Sequence, residues 1–407
     1  MKINLLPSII RYTILVLLSV ISYSCGYSSK ENKDHLIFRY NEYSNILSLD
    51  PAFARNPSII WPTNQLFNSL VQLDDSLHIK PDIAKSWTIS EDKLMYAFTL
   101  RNDVKFHKHE AFNTKDSTRI ATAYDFEYSF DRLMDPQVAS PGNWVLKGVD
   151  KYYAVNDTTF NIKLKKPFPA FLGLMSMRYC SVVPKEAIAF YGTDFRANPI
   201  GTGPFKFKLW EENIKLVLRR NELYFEKDEN GKQLPYLEAI AVTFYPDKQT
   251  EFLQFTKGEI DFLNSLDASY KDELLTPSGN LREKFKDKIN FTKSPYLNSE
   301  YLGFYLEGDT DEVKSELLRK AINYGFDRQK MITYLKNGVG TPANSGFIPN
   351  GLAGYNAQKG YEYNPMKAEQ LIKEYVKISG NQTPTIRNSN GFCCCYCIGL
   401  RKRFKHL

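Results

Sequence analysis

The order in which two hydrophobic periodicities follow one another restricts the fold of this chain more than any other feature. Residues 94–100, 159–164, 214–219 and 240–245 alternate apolar and polar positions and are rich in β-branched and aromatic types, the pattern of half-buried strands. Between and after them the spacing turns helical. Thr122 with Asp125 three residues on forms a capping-box pattern, followed by Phe126, Phe130, Leu133 and Met134 on one face. Asn364 before Pro365 opens a second helix with Ala368, Leu371, Ile372 and Tyr375 inside it. The longest helical pattern runs from Asp311 through Val313, Leu317, Leu318, Ala321 and Ile322 and restarts at Asp327 with Met331, Ile332 and Leu335. Strands and helices thus mix without strict βαβ alternation, which predicts an α+β assembly of several lobes. No repeat of roughly 20 to 50 residues is visible, so solenoids and propellers are excluded.

A length of 407 residues with 43% hydrophobic and 24% charged side chains suffices for two or three lobes with their own cores. The formal charge of +7 is unevenly placed: Lys2 and Arg11 are the only charges before Cys25, and five cations without an acid follow residue 386. Residues 25–386 are therefore neutral, and the basic pI is no sign of a nucleic-acid partner.

The first residues carry a basic flank and a charge-free, mostly apolar run from Tyr12 to Ile21, the length of a signal-peptide core and too short to span a bilayer. Ser22, Ser24 and Cys25 then resemble a bacterial lipoprotein cleavage box, with Ser22 where that box usually has Leu. The expectation is a signal peptide over residues 1–24, an acylated Cys25 and a polar tether through residue 35. In the body only Cys180 remains, so no disulfide framework exists there and Cys180 reads as a small buried apolar residue. Cys393, Cys394, Cys395 and Cys397 cannot converge on one tetrahedral ion without distorting the local backbone. Residues 381–407 read as an aberrant tail, out of frame after about residue 385, with a genuine tail as the alternative.

The five histidines, His35, His78, His107, His109 and His406, stand in no metalloprotease or nucleophile-elbow motif, so catalysis has no positive support and no cofactor is expected. His107 and His109 would share one face of a strand beside Glu110, half of a metal site or a structural pair. Gly201 and Gly203 permit positive φ or close backbone approach, and Pro204 fixes the exit, as a tight crossover or hinge requires. A phosphate loop is the rival reading, and the segment lacks its Gly-Lys-Ser/Thr ending.

Three stretches resemble extracellular solute-binding family 5, the group of oligopeptide, dipeptide and nickel receptors. Pro81-Asp-Ile-Ala-Lys-Ser-Trp87 with Val104-Lys-Phe-His107 is similar to its "P-x-[IL]-A-x-S-W" and "V-x-F-H". Asn198-Pro-Ile-Gly-Thr-Gly-Pro-Phe205, with Arg220, Asn221 and Tyr224, is similar to its "P-x-G-T-G-P-[YF]" turn and "R-N-x-x-Y". Lys257-Gly-Glu-Ile-Asp261 and the run from Arg319 to Arg328 look like its "G-E-[IL]-D" and "R-x-A-[IL]-x-[YF]-[AG]-[FIV]-D-R".

The resemblance runs from about Leu36 to about Gly380 and implies a periplasmic-binding-protein-like type II fold with a hinged cleft. It implies a first lobe from residues 36–55 and 199–291, an inserted smaller lobe over 56–198, and a partial second large lobe over 292–380. It further implies the substrate-binding component of an ABC importer for oligopeptides or dipeptides: a monomer, lipid-anchored on the periplasmic side, whose partners are a peptide and a membrane permease. Its cleft candidates are Asn41, Glu42 and Tyr43 on the first strand, Trp61 beyond it, and Asn298 with Tyr301 at the start of the second large lobe. Each has a plain alternative as a strand charge, core aromatic or turn residue. The family's acidic "W-x-A-D-[YF]-x-x-P" motif does not occur in this chain, so the expected product is defective in binding. Alternatives are a secreted glycan-binding lipoprotein or enzyme on a related scaffold, and a nickel or haem receptor of the same family.

Overall fold

The computed structural model describes residues 36–386 except 265, 277–279, 293–296, 308–310, 337, 339 and 353–354. The segment expected to be a signal peptide, Cys25 and the cysteine-rich tail lie outside the described residues. Packing divides the chain at Asn264 and Ser265 into two compact units.

The described residues of the first unit form ten strands: β1 (Ile37–Asn41), β2 (Val71–Leu73), β3 (Ile79–Pro81), β4 (Ala84–Ile89), β5 (Met95–Leu100), β6 (Val149–Asn156), β7 (Thr159–Leu164), β8 (Phe205–Glu211), β9 (Lys215–Arg220) and β10 (Ala239–Thr243). They form a four-stranded sheet in the order β1-β10-β9-β8, a two-stranded β2-β3 ribbon, and a second four-stranded sheet in the order β4-β5-β7-β6. All pairings are antiparallel except β1 with β10, which run parallel with Ile37 opposite Ala239. Mixed sheets and helices give the α+β class that the periodicities predict, and the four alternating stretches correspond to β5, β7, β9 and β10.

Three helices matter in this unit: α1 (Pro57–Leu66), α2 (Ala123–Met134) and α3 (Lys185–Tyr191). On the second sheet the odd-even rule operates in full. Tyr96, Phe98 and Leu100 of β5 and Phe160, Ile162 and Leu164 of β7 are buried, while their neighbours are only half covered. Phe126 and Phe130 of α2 lie on this face, with ring centroids 5.8 and 5.4 Å from Phe160. Each such fully buried phenylalanine contributes about 1.5 to 3 kcal/mol. The capping box of α2 forms as its sequence predicts: Thr122 N–H donates to Asp125 Oδ2 at 2.8 Å, and the Thr122 side chain meets the N3 backbone. Arg119 grips both Asp125 oxygens at 2.7 and 2.6 Å and Glu186 at 2.8 and 2.7 Å, which ties the start of α2 to α3.

The first unit ends with α4 (Lys248–Lys257), stopped by Gly258 at φ 79°. In the second unit the main helices are α5 (Glu316–Gly325), α6 (Arg328–Leu335) and α7 (Pro365–Ser379). Helix α5 packs on α7 through Leu318, Ala321, Ala368 and Tyr375, all buried. Asn364 caps α7 by accepting the Lys367 N–H at 3.0 Å, and Pro365 occupies the first turn. The helical pattern from Asp311 is not continuous. A short turn, Asp311–Lys314, ends at the extended Ser315 before α5 begins. Arg319 folds back to donate to the carbonyls of Val313 and Lys314 at 2.9 and 2.7 Å, so a side chain satisfies groups that an unbroken helix would have paired internally. Among the described residues no helix is long and apolar enough to cross a membrane.

Candidate ligand-binding site

Strand β1 ends at Asn41, so Glu42 and Tyr43 lie just beyond it rather than on it. Asn41 is 5% exposed and its carboxamide copies a backbone pairing: Oδ1 accepts the Tyr245 N–H at 2.7 Å while Nδ2 donates to the Tyr245 carbonyl at 3.1 Å. That side chain is committed to prolonging the β1–β10 ladder past its last backbone bond. Glu42 is also buried and accepts the Ser44 N–H at 3.3 Å. Burial lifts its carboxyl above the ordinary range, against the opposing pull of that backbone N–H and of Lys248. Lys248 is shared: its ammonium lies 2.7 Å from Glu251 Oε2 and 4.6 Å from the centroid of the Tyr43 ring. The half-exposed Tyr43 thereby covers a small charged cluster at the end of β1.

Trp61 belongs to α1 and is half-buried, with its ring 6.4 Å from that of Tyr40. Together with Phe38, Tyr40, Leu218, Ile240 and Phe262 it lines an open recess of about 180 Å³ on the first sheet. The edge of β1 beside this recess is closed by the Gly-Glu-Ile-Asp motif. Asp261 accepts the Arg39 N–H at 2.8 Å and its guanidinium at 3.1 and 3.0 Å, and its own N–H donates to the Arg39 carbonyl at 2.7 Å. Asn298 and Tyr301 lie in the second unit, both exposed, and Tyr301 sets its ring edge-on to Phe347 at 4.9 Å.

The Gly201–Pro204 turn is tightly constrained. Neither glycine has positive φ; both are needed for close approach. A methyl group on Gly203 would lie 2.5 Å from the Gln65 carbonyl oxygen, and one on Gly201 would strike the Leu66 carbonyl. The turn is then pinned from all sides. Gly203 N–H donates to the Leu66 carbonyl at 2.9 Å, Asn221 Nδ2 donates to the Gly203 carbonyl at 2.8 Å, and Thr202 Oγ1 donates to Asn68 Oδ1 at 2.9 Å. Asn68 in turn donates to Asp82 at 2.8 Å. These contacts give physical roles to residues of two motifs singled out in the sequence, Asp82 and Asn221.

His107 completes the clamp. The segment around it is not a strand, so the expectation that His107 and His109 share a strand face is corrected. Its Nδ1 accepts the Gly201 N–H at 3.2 Å and its Nε2 lies 3.1 Å from the Gly203 carbonyl, which requires the proton on Nε2. Burial pushes this imidazole down to about 4. His109 has both nitrogens engaged too, Nδ1 by the Ala111 N–H at 3.0 Å and Nε2 by the Tyr191 hydroxyl at 2.8 Å. A metal would have to displace these bonds. Cys180 is fully buried, and that burial raises its thiol to about 12.

The family described as bacterial extracellular solute-binding proteins, family 5, middle, matches residues 78–390. The chain belongs to that family. Among curated relatives, the glutathione-binding protein GsiB of Escherichia coli O1:K1 is 27% identical over 352 residues, which cover 86% of this chain and 62% of GsiB. GsiB of Salmonella typhimurium is 26% identical over 338 residues, covering 81% of this chain and 60% of the relative. The periplasmic binding protein DppA of Helicobacter pylori, solved with the peptide STSA, superposes with a TM-score of 0.69 at 28% identity, covering 84% of this chain and 65% of DppA. NikZ of Campylobacter jejuni, solved with Ni(L-His), gives a TM-score of 0.64 at 26% identity, covering 84% of this chain and 63% of NikZ. This family-5 chain therefore has a type II periplasmic-binding-protein fold and spans less than two thirds of the length of these relatives. GsiB is described as glutathione-binding, DppA as a periplasmic binding protein and NikZ with its bound Ni(L-His), and the family is one of binding proteins, not of enzymes.

Proposed function

We propose that this chain is the substrate-binding component of an ABC importer and that its solute is a short peptide. The family match over residues 78–390 carries the reading. Support for a peptide comes from relatives described with a peptide and with glutathione. The occupied nitrogens of His107 and His109 speak against these two residues as ligands of a nickel chelate. In this reading Asn41, Glu42, Tyr43 and Trp61 are the proposed solute-binding residues of the first unit, and Asn298 and Tyr301 are those proposed in the second. A peptide would be held mainly by main-chain hydrogen bonds with adaptable pockets for its side chains.

The lobe scheme of residues 36–55 with 199–291, 56–198, and 292–380 is part of the proposal. It is supported by one sheet that joins residues 37–41 to residues 205–243 and by another built only from residues 84–164. Gly201, Gly203 and Pro204 serve in it as a fixed crossover. Cys25 is proposed as the acylated residue that tethers the chain to the membrane, as a monomer, next to its permease.

Calorimetric titration of the purified chain with a mixed pool of two- to five-residue peptides, with glutathione, with Ni(L-His) and with an oligosaccharide pool tests the solute class. Saturable heat with the peptide pool supports the peptide reading and removes the expectation of defective binding. Saturation only with the nickel chelate or the sugars replaces it. For the anchor, Cys25→Ala should release the chain from membranes or block its processing, and unchanged retention would remove Cys25 from its role.

A further inference from the structure

We propose that one end of the β4–β7 sheet is a docking surface for anionic lipid bilayers. Three chain segments meet at that end. Leu164 N–H donates to the Leu94 carbonyl at 2.8 Å, Lys165 N–H donates to the Gly148 carbonyl at 2.9 Å, and Lys165 Nζ reaches the Lys147 carbonyl at 3.0 Å. The juxtaposition gathers Lys93 at the tip of the β4–β5 hairpin, Lys147 before β6, and Lys165 and Lys166 after β7, all exposed. Lys151 and Lys163 stand on the adjoining strands.

Acids do not neutralise the group. Glu91, Asp92 and Asp150 share this end, so six lysines face three carboxylates in a body that is neutral between residues 25 and 386. Asp150 already pairs with Lys163 at 3.7 Å, and Asp92 is turned toward Ser90 Oγ and the Leu94 N–H. Two large apolar side chains flank the cations. Trp144 and Phe168 are each 45% exposed, and each lies three residues from a lysine of the group. Tight turns present both: the Trp144 carbonyl accepts the Lys147 N–H at 3.2 Å and the Phe168 carbonyl accepts the Phe171 N–H at 3.0 Å.

Lysine ammonium groups act as flexible, hydrated point charges that add up over a diffuse negative surface, while tryptophan and phenylalanine settle at the boundary between headgroups and acyl chains. The cluster contains no arginine and so lacks the planar fork that pairs with individual carboxylates of an acidic protein. Its composition fits a lipid surface better than an acidic polypeptide.

The test uses the full chain carrying Cys25→Ala, so that no acyl chain contributes, and measures its co-sedimentation with vesicles of phosphatidylcholine alone or mixed with phosphatidylglycerol. Binding should need phosphatidylglycerol and weaken with salt. Lys147→Glu, Lys165→Glu and Lys166→Glu together should lower partition more than about tenfold. Lys208→Glu, Lys215→Glu and Lys232→Glu together should change it far less. In a separate variant, Trp144→Ala should weaken partition several-fold without altering the salt dependence. Equal partition into both kinds of vesicle, or equal losses in the two lysine variants, would overturn the proposal. So would binding to an acidic protein surface but not to lipid.

Discussion

Two buried titratable side chains sit a few contacts apart around the Gly201–Pro204 turn and pull in opposite directions with pH. His107, lowered to about 4, stays neutral in the fold while the unfolded imidazole takes up a proton near its ordinary value of about 6.5. Its contribution is complete above that value and is lost as pH falls toward 4, by about 3 kcal/mol. Asp82 behaves in the reverse sense: burial raises its carboxyl to about 6, with Arg178 opposing, so the fold gains stability as pH falls through 6 toward 4. The two effects largely cancel in the native protein. In Asp82→Asn the compensating group is gone, and the midpoint of thermal unfolding should fall more steeply between pH 6.5 and 4 than in the native chain, a comparison that differential scanning calorimetry reads directly. Parallel pH profiles would show that the histidine is not a buried neutral clamp. The same turn sets a steric expectation. Gly203→Ala, which drives a methyl group into the backbone of residues 65–67, should cost about 3 kcal/mol in denaturant unfolding. Gly148→Ala, with open space around it, should stay within about 0.5 kcal/mol.

Between elements, the connection from β1 to α1 depends on one ion pair. Asp50 caps the short turn Pro51–Phe53, and Arg132 of α2 reaches both its oxygens, at 3.0 and 2.5 Å, with side-chain exposures of 3% and 13%. Ser140 adds a bond to the Ala52 carbonyl at 2.5 Å. Arg132→Met would leave the Asp50 carboxylate buried without its cation, and equilibrium unfolding should register a loss of about 3 to 5 kcal/mol. A loss below about 1 kcal/mol would mean that water reaches the site. Sequence reading could not have found this pair, because nothing in a charge pattern tells which of 99 charged residues will meet across 82 positions. It read well what local physics controls. The capping box at Thr122 and the cap at Asn364 are short-range bonds, and the strand stretches follow from a period of two. It failed where a side chain replaced a backbone partner, as when Arg319 takes the carbonyls of Val313 and Lys314 at the break before α5, which periodicity does not register. At the candidate site, the motif residues were visible as unusual glycines and polar groups. Their task of holding backbone to backbone needed coordinates.

At the scale of the molecule, the two units differ in how much they bury. The first contains fully covered Phe67, Phe98, Phe106, Phe126, Phe130, Phe160, Phe171 and Phe195, whereas the described part of the second buries only Leu274, Leu275, Leu318, Ala321, Ile332, Ala368 and Tyr375 among its apolar residues. Local stability follows buried apolar contact, so amides of α5 and α7 should exchange with deuterium at least about tenfold faster than those of β5, β7 and α2. Mass-spectrometric exchange on the intact chain tests this, and equal protection would mean that the second unit borrows stability from elsewhere. The topology of the first sheet has a further consequence, in the order of events as the chain is made. Strand β1 leads, but its parallel partner β10 follows roughly two hundred residues later, and the closing contact from Asp261 comes later still. The β4–β7 sheet, by contrast, is complete within residues 84–164 and can close as soon as they emerge. Until β10 appears, β1 is an open edge with Phe38 and Tyr40 uncovered, the kind of segment that a holding chaperone recognises and that aggregation exploits. The earliest of the described strands is therefore among the last elements of the first unit to find its place.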